Sequence, residues 1–271
     1  MKRTHLGKYL YTALGIFFTA MMLFPVYWMV NASLQSGASA ANTSLVPDHP
    51  TVAAYSRAFS EQLGNLGTSL LIGLGTVALT LVIAAPAAYS LAMFRVRGSR
   101  LITVALLIAQ MIPGVVIANS LYPAYASLGL LNNIPGLVLA DATTSVPFAV
   151  LILRTFMEAI PLALIEAARI DGASHFRAFI SVVLPISRNA VITAGLFSFL
   201  FAWSDFIFAL TLTTTNSVRP ITLGIYSYLS AAVQNWGPVL ATSVIASVPA
   251  IILLVLAQRR IAAGAFGGAV K

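Results

Sequence analysis

Long apolar stretches alternate with short polar segments along this chain. The stretches cover roughly residues 9–33, 66–94, 101–122, 136–156, 190–211 and 239–258. A helix needs about 20 apolar residues to cross roughly 30 Å of hydrocarbon, and each stretch is about that long. The apolar positions are continuous rather than alternating, which disfavours a membrane β-barrel. The pattern predicts an all-α integral membrane protein, with six transmembrane helices in a single domain over residues 1–271.

The charge content agrees with a membrane location. Hydrophobic residues make up 59% of the chain and charged residues only 8%, whereas soluble domains carry about 25% charged residues. The formal net charge of +8 would suggest nucleic acid in a soluble protein, but here most basic residues lie beside the ends of apolar stretches. We therefore expect membrane lipid, and no nucleic acid, around this chain. The lack of cysteine excludes disulfides and thiolate metal sites.

The positions of Lys and Arg predict the orientation of the chain, because basic residues concentrate on the cytoplasmic side of membrane proteins. With a cytoplasmic N-terminus, only Arg57 and Arg219 lie outside. The basic residues then placed inside, or at an inner helix end, are Lys2, Arg3, Lys8, Arg95, Arg97, Arg100, Arg154, Arg169, Arg177, Arg188, Arg259, Arg260 and Lys271. We expect a multi-pass protein of the cell membrane with both termini in the cytoplasm.

The first apolar stretch has a second interpretation as a cleaved signal peptide. Basic residues precede it, and Ala38-Ser39-Ala40 resembles a cleavage site. Its apolar run is longer than the roughly 7–15 residues of a signal peptide, and Ala38 lies too far beyond its end. We therefore predict a retained transmembrane helix, and mass analysis of the N-terminus would separate the two interpretations.

A polar segment interrupts the apolar pattern at about residues 158–188, between the fourth and fifth stretches. Pro161 can start a short helix, because its fixed φ is helical, and Gly172 suits the left-handed position just past the end of that helix. Ser174 can cap a second helix, which Pro185 would end. The segment therefore predicts two short helices held at fixed spacing.

The residues alone leave two interpretations of this segment open. Glu166 and Arg169 share a helix face, while Ala163, Ala167 and Ala168 leave other faces nearly bare, so a protein partner could approach closely. Alternatively, the helices form an amphipathic hairpin in the headgroup region. In that case Glu166 and Arg169 are a solvated pair worth about 0.2–0.5 kcal/mol.

Several motifs resemble those of permease subunits of bacterial binding-protein-dependent ABC importers. The pattern Glu166-Ala167-Ala168, Gly172, Val182-x-Leu184-Pro185 resembles their EAA signature, with Val182 where the family usually has Ile. Other phrases resemble the carbohydrate branch, specifically its MalG-type subunits: EAARIDGA, MIPG at 111–114, LGLLNN at 128–133, Pro147-Phe148 and the tail QRRIAAGAFGGAVK. These motifs follow the family's order around the predicted spans and cover nearly the whole chain.

The resemblance implies a type I ABC importer permease of the bacterial cell membrane, which has no catalytic role of its own. The implied partners are a homologous second permease, a cytoplasmic ABC ATPase dimer that binds ATP and magnesium, an extracytoplasmic solute-binding protein and a carbohydrate. The polar segment would be the coupling helix loop, docked on the ATPase through Glu166, Ala167, Ala168, Asp171, Gly172, Leu184 and Pro185. Arg259, Arg260 and Lys271 in the tail would also contact the ATPase, or serve only as cytoplasmic charges.

Polar residues within apolar stretches are candidates for a solute pathway, because an unpaired carboxylate at membrane depth costs about 2.5–3.5 kcal/mol. Asp205 could accept hydrogen bonds from a polyhydroxylated solute, or be a structural aspartate bonded to neighbouring helices. The candidate pathway residues are Gln110, Asn119, Tyr122, Phe199, Trp203 and Asp205, with Asp141, Thr143 and Thr144 as weaker candidates. Asn235 and Trp236, in an aromatic-rich outer segment, are the candidate contacts of the binding protein.

Motifs for nucleotide or metal chemistry are absent from the sequence. It contains neither a GxxxxGK[ST] phosphate loop nor an HExxH pair, and His5, His49 and His175 are widely scattered. We predict no catalytic residue, metal or cofactor on this chain. The alternative function is a secondary transporter or channel driven by an ion gradient, with Asp205 as the proton or cation site.

Overall fold

The computed structural model describes residues 5–38, 43–94, 96–229 and 236–267. Within these residues the regular elements are helices, apart from one isolated β-bridge between Gln35 and Pro50. The prediction of an all-α protein is therefore confirmed.

The helices follow the apolar stretches and the polar segment between the fourth and fifth of them. In chain order they are α1 (His5–Ser33), α2 (Ala53–Met93), α3 (Ser99–Ala109), α4 (Gly114–Leu128), α5 (Ile134–Glu158), α6 (Leu162–Ile170), α7 (His175–Ala178), α8 (Leu184–Ile186), α9 (Arg188–Ser204), α10 (Ile207–Leu212), α11 (Ile221–Leu229) and α12 (Gly237–Gly267). A π-helical turn, Phe179–Val183, joins α7 to α8.

Four helices are each long and apolar enough to cross a membrane, namely α1, α2, α5 and α12. Two bent pairs also qualify: α3 with α4, bent by 95°, and the α7 to α8 run with α9, bent by 81°. By length and composition, the described residues hold four spans, or up to six if each bent pair counts as one.

The third predicted span, residues 101–122, is not one continuous helix. α3 ends at Ala109 and α4 begins at Gly114. Between them Pro113 has an extended backbone, with φ −60° and ψ 134°. A proline also disfavours helical geometry in the residue before it, which is Ile112 here. The bend therefore follows from the Met-Ile-Pro-Gly sequence, which a count of apolar residues does not register.

The fifth predicted span, residues 190–211, is also interrupted. α9 ends at Ser204, and Asp205 has an extended backbone with φ −63° and ψ 131°. The chain resumes as α10 at Ile207. The residues on both sides of the break are apolar, so hydropathy alone shows a single stretch.

The helix α2 begins at Ala53, well before residue 66 where its apolar stretch was predicted to start. The added turns are polar, and Arg57 pairs with Glu61 one turn later at 2.8 Å. Such pairs at i and i+4 support a helix that has no apolar stripe.

The chain forms two compact units by its internal contacts. Unit 1 comprises Met1–Leu63 with Ile225–Val248, and unit 2 comprises Gly64–Gly224 with Pro249–Lys271. The prediction of a single domain stays a prediction. In unit 1, Tyr228 donates a 2.6 Å hydrogen bond to Glu61, while apolar side chains of α1 such as Phe17 and Met22 are exposed.

The core of unit 2 contains two buried apolar clusters. The first joins the ends of α2 and α5 to the polar segment, and it includes Tyr89, Leu153, Met157, Ile165 and Phe179. The second joins α2, α4, α5, α9 and α10. The first cluster positions the candidate functional site.

Candidate functional site

The helix α6 ends in a Schellman motif, in which two backbone N–H groups reach back to the last turn. The N–H of Gly172 donates to the carbonyl of Arg169 at 3.1 Å, and that of Ala173 to the carbonyl of Ala168 at 3.0 Å. Gly172 has a φ of +85°, a conformation that residues with a Cβ avoid. The predicted left-handed glycine therefore lies at the end of α6.

The start of α6 differs slightly from the prediction. Pro161 has an extended backbone, with φ −58° and ψ 125°, and precedes the first helical residue, Leu162. Its carbonyl accepts the N–H of Leu164 at 3.1 Å. Pro161 therefore caps the helix instead of forming its first turn.

The second helical run begins as predicted and ends differently. The hydroxyl of Ser174 accepts the N–H of Arg177 at 3.1 Å, which caps α7. The run then widens into the π-helical turn and continues past Pro185 to Ile186. The prediction that Pro185 ends this helix is wrong, because it lies in the first turn of α8, where a missing N–H is tolerated.

Both helical runs are anchored in the first core cluster. α6 buries Ile165, and the second run buries Ala178, Phe179 and Val183. Each buried methylene contributes about 0.8 kcal/mol, so the polar segment is attached to the ends of α2 and α5 at several points. This packing fixes the position of the polar segment relative to the ends of α2 and α5.

The predicted docking residues divide between an exposed face and the core. Those exposed are Glu166, Ala167, Asp171, Gly172 and Pro185. Ala168 and Leu184 are half-buried and pack against the first core cluster. The first group is accessible to a partner, whereas the other two residues help to hold the segment in place.

Two large apolar side chains of the polar segment are strongly exposed. Ile170 is 86% exposed and Phe176 is 73% exposed. Neither was among the predicted site residues, although an Ile and a Phe within a polar segment were a visible signal. Exposed apolar groups of this size indicate contact with protein or lipid when they cluster.

A groove of about 430 Å³ lies beside Glu166. It is lined by Tyr89, Met93, Phe94, Leu162, Ile165, Glu166, Arg169, Ile170 and His175. Among the described residues, the ion pairs within 4.0 Å are Arg57 with Glu61 and Arg154 with Glu158. Glu166 and Arg169 therefore share the groove without forming a salt bridge, and the carboxylate of Glu166 faces an accessible groove. Sequence reasoning missed Tyr89 and Phe94 here.

Asp205 is bonded within the chain. Its carboxylate accepts the N–H of Phe208 at 3.2 Å and that of Ala209 at 2.9 Å. Its carbonyl accepts the hydroxyl of Thr222 at 2.7 Å. Both carboxylate oxygens have backbone partners at the start of α10, which favours the structural role over solute binding. Asp141 is buried, and together with Asp205 it lines a small cavity.

We expect Asp205→Ala to lower the free energy of unfolding by about 1–2 kcal/mol, because α10 would lose its cap. Asp205→Asn keeps one oxygen acceptor and should cost less. Thermal unfolding in detergent would measure both, with Ser204→Ala as the control, since the Ser204 hydroxyl is exposed and bonds only within α9. Loss of transport with an unchanged melting temperature would instead assign Asp205 to the solute.

The predicted aromatic pathway residues are internal. Phe199 and Trp203 are buried and stack on each other, with ring centroids 5.3 Å apart and planes at 18°. A Cβ at Gly73 of α2 would come within 2.8 Å of the Phe199 ring. The two rings therefore pack between helices, and Phe199 also lines an apolar cavity of about 540 Å³.

The remaining predicted residues lie in several places. Gln110, Asn119 and Tyr122 are exposed on or beside α3 and α4. Trp236 is 38% exposed, and its backbone N–H donates to the carbonyl of Ala38 at 2.8 Å. The weaker candidates Thr143 and Thr144 bond backbone carbonyls of their own helix. Asn235 and Lys271 lie outside the described residues.

Comparison with known proteins places the chain among transport proteins. A family model described as "Binding-protein-dependent transport system inner membrane component" matches residues 80–264. The trehalose transport system permease protein SugB of Mycobacterium tuberculosis is 33% identical over 253 residues, which cover 92% of each protein.

Two solved structures share the fold. One is a bacterial ABC transporter involved in the import of the acidic polysaccharide alginate, with a TM-score of 0.79, 21% identity and coverage of 96% of this chain and 98% of that chain. The other is a bacterial alginate ABC transporter in complex with an alginate pentasaccharide-bound periplasmic protein, with a TM-score of 0.68, 15% identity and coverage of 95% and 94%. The predicted type I ABC importer permease architecture is confirmed, and the ion-driven alternative gains no support.

Since the family model covers more than half of the sequence, including the whole polar segment, the chain belongs to the inner membrane components of binding-protein-dependent transport systems.

Proposed function

We propose that this chain is a permease subunit of an ATP-driven carbohydrate importer. It forms half of the translocation pathway and couples closure of the ATPases to alternating access. The observation that carries the proposal is the capped and anchored segment at residues 158–188, which exposes Glu166 beside a groove. A permease without a phosphate loop does not bind ATP through that motif, so in this proposal its energy comes from another chain. An exposed segment held in a fixed position gives that chain a surface to bind.

The partners follow from the family and its relatives. We infer a homologous second permease, a cytoplasmic ABC ATPase dimer that binds ATP and magnesium, and an extracytoplasmic solute-binding protein. The description of the family names a binding-protein-dependent system, and the second alginate transporter structure includes a periplasmic protein. Trp236 and Asn235 stay the proposed contacts of the binding protein.

We propose that the polar segment and both termini lie in the cytoplasm of a bacterial cell. Arg169, Arg177 and Arg188 on and beside this segment are exposed, which agrees with the excess of basic residues on the inner side of membranes. The inner membrane location is that of the family. The exposed Ile170 and Phe176 would then contact the ATPase.

The proposed substrate class is carbohydrate. SugB is named for trehalose, and the solved structures concern alginate, so the class extends from a disaccharide to an acidic polysaccharide. Because Phe199, Trp203 and Asp205 are engaged inside the chain, we place solute contact at the exposed polar residues Gln110, Asn119 and Tyr122. Transport is then a shift between two conformations, biased by nucleotide on one side and by loaded binding protein on the other.

Reconstitution tests this function directly. The complete complex is placed in proteoliposomes with loaded binding protein, and uptake of labelled sugar is followed with and without ATP. Uptake should require ATP and survive an uncoupler that collapses ion gradients. Uptake that needs no ATPase and stops with the uncoupler would overturn the proposal.

Gly172→Val should reduce ATP-driven uptake by about fivefold or more. The residue has a φ of +85°, where a Cβ costs about 1–2 kcal/mol, and an energy of that size changes an equilibrium by a factor of about 5–30. Gly172→Asn should be milder, because Asn visits this conformation more readily. Gly129→Val is the matched control, since Gly129 caps α4 at a φ of +68°. An equal loss of uptake in both Val variants would assign the effect to general instability.

A further inference from the structure

Four aromatic side chains join the end of α2 to the polar segment. Tyr89 and Phe94 come from the end of α2, and His175 and Phe179 come from the second helical run. We call these four residues the aromatic latch. The rings of Tyr89 and Phe94 are 5.5 Å apart at 80°, those of Tyr89 and Phe179 are 5.0 Å apart, and those of Phe94 and His175 are 5.1 Å apart at 72°. These distances lie in the range of favourable aromatic pairs.

The latch makes two separate bridges between the same two elements. One bridge runs from Tyr89 to Phe179, the other from Phe94 to His175, and the Tyr89–Phe94 contact ties the bridges together. The hydroxyl of Tyr89 also lies 3.5 Å from the carbonyl of His175, across 86 residues of sequence. Two linked contacts resist rotation of the polar segment against α2 as well as separation from it, because rotation about one contact would break the other.

The aromatic latch differs from ordinary core packing because only part of it is buried. Tyr89 and Phe179 are buried in the first core cluster, but Phe94 is 39% exposed and lines the groove beside Glu166 together with His175. The latch therefore extends from the core to the surface beside α6. Together with the apolar packing of the first core cluster, these rings connect the polar segment to α2.

We propose that Tyr89 and Phe94 are positioning residues that transmit movement of the polar segment to α2. This inference rests on the proposed function, because it assigns a route to the coupling step. Loss of the Phe94 contacts removes one of the two bridges and weakens this link, while the exposed docking residues of α6 keep their positions. Nucleotide hydrolysis then continues while less solute moves for each ATP.

The test compares Phe94→Leu with variants that alter rings without breaking this link. Tyr89→Phe keeps both bridges and removes only the hydroxyl. Phe197→Leu is the matched control, because Phe197 belongs to a second aromatic group, with its ring 5.3 Å from that of Phe148. Complexes are purified, assembly is checked by co-purification, and sugar uptake and ATP hydrolysis are measured in the same proteoliposomes.

Leucine keeps an apolar side chain at this edge of the groove, so in Phe94→Leu we expect assembly and hydrolysis close to wild type. The ratio of sugar moved to ATP hydrolysed should fall by about fivefold or more, the usual scale of coupling between sites. Tyr89→Phe and Phe197→Leu should keep the wild-type ratio. An unchanged ratio in Phe94→Leu, or an equal fall in Phe197→Leu, would overturn the inference. Failure of the wild-type complex to move sugar with ATP would instead overturn the proposed function.

A labelling experiment gives a readout that structural damage alone would not produce. The chain has no cysteine, so Ser90→Cys on α2 and Ser181→Cys in the π-helical turn of the polar segment can each carry a single fluorophore at an exposed position. On ATP addition both labels should respond in the otherwise wild-type complex. In the Phe94→Leu background the label at residue 181 should still respond and that at residue 90 should respond less. Equal responses at both positions would contradict the proposed route.

Discussion

Glu166→Lys is expected to abolish ATP-driven uptake while the chain still folds and inserts. Glu166 is exposed on α6, lines the groove and forms no salt bridge with Arg169. In the proposed contact the ATPase surface accommodates a carboxylate, so reversing the charge of Glu166 would place a cation against it. A like-charge contact at an interface costs several kcal/mol, and each 1.4 kcal/mol is about tenfold in affinity. We therefore expect uptake in proteoliposomes to fall by at least about tenfold, together with weaker co-purification of the ATPase.

The control for this result is the same change of charge elsewhere. Asp48→Lys alters an exposed acidic residue of unit 1 and should leave both uptake and co-purification near wild type. Glu166→Gln removes the charge without reversing it, so its effect should be intermediate. Wild-type uptake in Glu166→Lys would show that the polar segment is not the ATPase contact, and the headgroup hairpin would then be the better interpretation.

Gly136→Ala is expected to prevent stable folding of unit 2. A Cβ at this position would lie 2.0 Å from the carbonyl oxygen of Leu130 and 3.1 Å from the side-chain oxygen of Asn133. The first contact is with backbone, which cannot rotate away as a flexible side chain can. The N–H of Gly136 also donates to Asn133 at 2.7 Å, so any shift of the backbone would weaken the cap of α5. We expect a loss of about 3 kcal/mol or more in the free energy of unfolding.

Thermal unfolding and the yield of assembled complex would measure this loss. Gly67→Ala is the matched control, because Gly67 lies in α2 with no atom within 4 Å of the added Cβ. Alanine is a better helix former than glycine by about 0.5–1 kcal/mol, so the control should be as stable as wild type or slightly more so. Equal melting temperatures for the two variants would show that the turn before α5 has room for a side chain.

Local backbone chemistry explains which details of the candidate site were predictable. Ser174 and Gly172 were correctly placed because capping and left-handed geometry depend on neighbouring residues alone. Pro185 was misinterpreted, since the π-helical turn before it lets the helical run continue. The apolar surroundings of Asp205 mark it as unusual in the sequence. Its hydrogen bonds to the N–H groups of Phe208 and Ala209 depend on α10 beginning two residues later, which the apolar pattern does not indicate.

The sequence by itself determined that this chain is a helical membrane protein, because the transfer of apolar residues into lipid is favourable residue by residue. It also determined where the polar segment lies, and that Gly172 ends its first helix and Ser174 caps its second. Only the tertiary structure decided that Ala168 and Leu184 face the core, that Phe199 stacks on Trp203, and that Tyr89 approaches His175 across 86 residues. Such contacts depend on how separate helices pack against each other, and no local pattern of residues contains that information.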